Sequence, residues 1–257
     1  MTLSRTTTHT TTVLGALIAA AFALSGCATT IGAAPSPSSS ASDEATATST
    51  AGATVTGTGA TGWPGLDFPV PAGARSVSID FTCEGIGHYV VEFGDAMAEN
   101  TSPISGTCGA PAALAWPVDA KTQPSIAVTV DDGVAWTATP LFSTAEFVRD
   151  AAVTADCAAF VDIYSALINA DQGYSQYKAF DAATWTARVT AASSQLAALA
   201  AASTSSLKGP LTSMSHTVST ATEPGTAQAG IADDVAQIGA ACNANQTPYF
   251  LKAEFGG

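Results

Sequence analysis

Between residues 77 and 130 apolar and polar positions alternate. Val77, Ile79, Phe81 and Cys83 form one such set, Tyr89, Val91 and Phe93 a second, Leu114, Trp116 and Val118 a third, and Ile126, Val128 and Val130 a fourth. A period of two sends successive side chains to opposite faces of a strand, so each set marks a strand with one buried face. Asp132-Gly133, between Val130 and Val134, reads as a tight hairpin turn, since both residue types accept positive φ. Short strands at this spacing predict a small antiparallel β-sandwich over residues 63–143.

Beyond residue 143 the period becomes helical. Ser143 followed by Glu146 matches a capping box and predicts a helix starting at 144. Val153, Cys157, Phe160, Tyr164 and Leu167 then recur at intervals of four and three, which places them on one buried stripe. Trp185, Val189, Ala192, Leu196 and Leu199 repeat the pattern, and Ile231, Val235, Ile238 and Cys242 repeat it again. Gly209-Pro210 and Pro224-Gly225 flank a shorter helix carrying Met214 and Val218. A bundle of three or four helices over residues 144–257 follows. The fold class is therefore α+β, with two modules in series.

The first 62 residues carry neither period. Residues 1–26 hold Arg5 in a polar stretch and then an apolar run from Val13 to Leu24, too short for a bilayer that needs about 20 residues, so they read as a signal peptide. The end of this stretch, Leu24-Ser25-Gly26-Cys27, resembles the lipobox of bacterial lipoproteins. That resemblance implies cleavage before Cys27 and a diacylglyceryl group on its sulfur. Two acyl chains give stable attachment where one does not, so the expected location is the outer face of the cytoplasmic membrane. From Cys27 to Gly62 the chain is mostly Ala, Ser, Thr, Gly and Pro, with Asp43 and Glu44 its only acids. Such a stretch buries too little apolar surface to offset its chain entropy and is expected to be a disordered tether.

With Cys27 assigned to lipid, Cys83, Cys108, Cys157 and Cys242 remain, as an oxidising compartment would have it. Four cysteines allow three pairings. Local organisation favours Cys83 with Cys108 and Cys157 with Cys242, one bond inside each module. The run Cys83-Glu84-Gly85-Ile86-Gly87 with Gly106-Thr107-Cys108-Gly109 downstream resembles a disulfide-stapled β-module of actinobacterial secreted lipoproteins. The resemblance supports the fold and carries no activity with it.

Composition narrows the function mostly by exclusion. Eight Lys or Arg against 21 Asp or Glu leave a formal net charge of −13. A nucleic-acid partner is excluded, because such binding needs clustered cations. His88 and His216 are the only histidines after the signal peptide, no G-x-S-x-G turn is present, and no cofactor or metal is expected: neither a C-x-x-C pair nor a spaced calcium loop occurs, Asp131-Asp132-Gly133 being explained by its turn. Trp116 and Trp185 follow buried periods. Tyr174 and Tyr177, in Gly173–Lys178 between two predicted helices, are the best candidates for ligand contact, as aromatic platforms for a sugar or protein. The expected function is that of a membrane-anchored lipoprotein binding an envelope protein or glycan without catalysis. An envelope hydrolase with an acidic pair hidden in the sequence, or a structural spacer, remain the alternatives, and oligomeric state is not legible.

Overall fold

The computed structural model describes residues 47–255, so the expected signal peptide, Cys27 and most of the expected tether lie outside the described residues. Nine strands form two antiparallel sheets. One contains β1 (Ser49–Ala51), β2 (Val55–Thr58), β4 (Ser76–Cys83), β7 (Ala112–Pro117) and β9 (Ala135–Ser143), in the order β1-β9-β4-β7 with β2 also paired to β9. The other contains β3 (Leu66–Asp67), β5 (His88–Phe93), β6 (Ile104–Thr107) and β8 (Ser125–Thr129), in the order β3-β8-β5-β6. A single-turn helix, α1 (Ala96–Glu99), links β5 to β6.

Every residue of the four alternating sets is buried, and they form one core between the sheets. Aromatic rings make the contact across that core: Phe81 lies 4.8 Å from Tyr89, Phe93 6.1 Å from Trp116 and Phe68 6.2 Å from Phe142, centroid to centroid. Each such side chain contributes about 1.5–3 kcal/mol by leaving water. The Cys83–Cys108 bond joins the end of β4 in one sheet to the residue after β6 in the other. Closing a 25-residue loop is worth about 3.5 kcal/mol on the chain-entropy model.

Four longer helices follow: α2 (Ala151–Ser175), α3 (Ala182–Ala202), α4 (Lys208–Ser219) and α5 (Ala232–Ala244). Their stripes form a second core that includes Phe160, Trp185, Leu196, Met214 and Ile238. Cys157–Cys242 clamps α2 to α5 across 85 residues, about 4.6 kcal/mol on the same model. By length and composition α2 is apolar enough to cross a membrane, yet its stripe faces this core and it buries Asp156, Asn169 and Asp171. After α5 the chain returns along α2, where Asn169 receives Glu254 N at 2.9 Å and donates to Lys252 O at 2.7 Å, and Arg188 pairs with Glu254.

Four expectations need correction. The stretch 27–62 is not tether throughout, because β1 and β2 lie within it. Their ladder to β9 is made by the backbone, which polar and small residues supply as well as apolar ones. Gly57 lies so close to Trp136 that any side chain there would meet the indole, and Gly59 O accepts from Trp136 Nε1 at 3.0 Å. Secondly, the first long helix starts at 151 and not 144. Ser143 still belongs to β9, its hydroxyl accepting from Ala145 N in a local turn, and Asp150 is the cap, its carboxylate accepting from Ala152 N and Val153 N. Thirdly, Asp132-Gly133 does form a turn, with Gly133 at φ 81°, but it joins strands of different sheets and makes no hairpin. Finally, Gly173–Ser175 are the last turn of α2, not an inter-helix loop.

Candidate functional site

The sandwich and the helices belong to one compact unit, and Gln246 bridges the seam between them. Gln246 is fully buried two residues after α5. Its side-chain carbonyl accepts from Ser102 N at 2.9 Å, its amide donates to Ser102 O at 3.2 Å and Ala115 O at 3.4 Å, and Trp116 Nε1 donates to the same Ser102 carbonyl. Gln246 O in turn accepts from Arg149 Nε at 2.7 Å. Arg149 thus sits at the mouth of the seam, on the strap of residues 144–150 that carries the chain from β9 to α2.

A groove of about 790 Å³ opens beside this strap. Val70, Pro71, Val118 and Phe147 give it an apolar floor, and Arg75, Asp119, Glu146 and Arg149 its charges. Three of those charges are engaged. Arg75 pairs with Glu146, both more than half exposed, a contact worth about 0–1 kcal/mol. Asp119 accepts from Lys121 N and Thr122 N in its own turn. Arg149 takes part in no ion pair among the described residues, and its guanidinium lies 5.9 Å from the Phe147 ring centroid. Arg149 is exposed, and a guanidinium beside an aromatic ring retains N–H donors for a carboxylate or phosphate. A smaller hollow of about 340 Å³, also lined by Glu146 and Phe147, exposes Leu141 and Val148.

Of the residues picked out by sequence, few converge. His88 begins β5 and His216 lies on α4, both exposed, in different halves of the fold. No group of three or more His, Cys, Asp or Glu suited to a metal occurs among the described residues. Trp116, Trp136 and Trp185 are in the cores, whereas Trp63 is exposed. Tyr174 is half-buried against the helical core with Lys178 Nζ 5.7 Å from its centroid, and Tyr177, half exposed, stacks on Phe255 at 5.4 Å. Cys27 falls outside the described residues.

The shifted ionisations have structural causes. Burial raises Tyr89, Tyr164 and Tyr249 above the usual tyrosine range. The Thr184 amide holds Asp181, the α3 cap, below the carboxylate range, and the Arg188 hydrogen bond does the same for Glu254. A lowered carboxylate adds stability that is present above its unfolded pKa and fades as pH falls through the folded one.

Sequence reasoning missed Arg75, Glu146, Phe147 and Arg149. The available signal was Asp150, as good an N-cap residue as Ser143 and nearer the apolar stripe that begins at Val153, which would have released 144–149 from the helix. No model of a known protein family matches the chain, and no curated protein matches it.

Proposed function

We propose that this chain is an exported lipoprotein, held by diacylglycerol on Cys27 at the outer face of the cytoplasmic membrane, which binds an envelope component in the seam groove. Leu24-Ser25-Gly26-Cys27 supports the anchor, and the two disulfides fit an oxidising compartment. The observation that carries the binding role is Arg149, whose guanidinium is hydrogen-bonded to Gln246 O and lies beside Phe147 but pairs with no carboxylate among the described residues, above an apolar floor. Apolar concavities with a few placed polar groups are what ligand sites use. The chemistry fits a protein or glycan presenting an anionic group beside an apolar one.

A photo-activatable side chain in place of Phe147, in the full chain in intact cells, tests this. A discrete cross-linked product is expected, reduced about tenfold or more by Arg149→Glu, with none from the same probe at exposed Ile86, past the end of β4 opposite Arg75. Equal products at both positions, or no change with Arg149→Glu, would contradict it.

A further inference from the structure

The last turns of α2 and the connection from α4 to α5 enclose a second cleft, of about 420 Å³. At its base is Asp171, buried within α2. One of its oxygens accepts from Trp185 Nε1 at 2.8 Å and Ala227 N at 3.0 Å, and the other accepts from Gln228 N at 3.0 Å. The carboxylate is therefore occupied in holding α3 and the α4–α5 connection to α2, and it fixes the walls of the cleft.

Those walls carry amides. Gln172 and Gln176, four residues apart at the end of α2, line the opening together with Gln228. Among the described residues no protein group pairs with the side-chain amides of Gln172 or Gln176, and that of Gln228 only approaches Asp171, at 3.5 Å. Three amides, each with one acceptor and two donors, thus line one cleft.

We infer that this cleft is a binding site for a neutral saccharide unit, an uncharged hexose or N-acetylhexosamine. Paired donors and acceptors on glutamine match vicinal hydroxyls or an acetamido group. An anion would meet no cation in the lining, a cation would find the carboxylate already satisfied, and an apolar ligand would strip the amides of water without replacing their hydrogen bonds. The inference rests on the reading of the chain as an envelope-facing binder but uses a site separate from the seam groove.

The test uses the full chain in zwitterionic micelles, free of glycoside detergent, titrated calorimetrically with chitotetraose and, separately, cellotetraose. Saturable binding of either is expected; chitotetraose alone identifies the acetamido group as the determinant, and cellotetraose the hydroxyls. Gln172→Ala with Gln176→Ala should weaken binding about tenfold or more while the melting temperature stays in place. Should the pair lower the melting temperature, Gln176→Ala alone, exposed at the helix end, decides by the same criterion. Absence of binding by both oligosaccharides at millimolar concentration, or undiminished binding in the folded variant, would overturn the inference. Loss of saccharide binding with the Phe147 cross-link retained removes this site alone, and the converse removes the seam groove alone.

Discussion

Three polar residues organise much of this molecule, and none belongs to a recognisable motif. Gln246 adopts φ 52°, a conformation that costs a non-glycine residue about 1–2 kcal/mol, and its hydrogen bonds to Ser102 and Ala115 offset that cost. In the sequence it stands in Asn243–Thr247, a mostly polar run that reads as surface, because the partners of its side chain are more than 100 positions away. Asp156 is similar, accepting from the hydroxyls of Ser203 and Ser205 at 2.6 Å each. Asp171 is the most consequential, since three elements meet on its carboxylate. Asp171→Asn keeps the shape but presents an amide nitrogen to N–H donors. It should lower unfolding free energy by about 2–4 kcal/mol, measured by urea titration; a loss under about 0.5 kcal/mol would show the carboxylate to be dispensable.

At the scale of elements, periodicity was legible wherever a face is buried. The strand sets from Val77 to Val130 all lie in the sandwich core, and the helical stripes all lie in the second core, because burial is what imposes a period of two or of 3.6. It failed where an element has no apolar face. β1 and β2 are edge strands of small residues, held by backbone bonds to β9, and composition alone cannot distinguish them from a tether. Gly57→Val tests this directly. A branched side chain against Trp136 should cost about 1–3 kcal/mol and expose the indole, seen as a red shift in its emission. An unchanged spectrum and melting temperature would mean that the 55–58 segment does not lie on β9.

For the whole molecule, the division into sandwich and helices was legible from the change of period at residue 143, and the disulfides from one cysteine pair on each side of it. What was not legible is that the two halves share a seam, because Gln246, Arg149 and Trp116 come from three distant segments and none signals a partner locally. The measurement that bears most directly on the account is metabolic labelling with palmitate, followed by membrane fractionation, of the full chain and of Cys27→Ala. The wild-type protein should carry label and sediment with membranes, and Cys27→Ala should carry none and lose membrane retention; label persisting in Cys27→Ala would contradict the assignment of this chain as a lipoprotein.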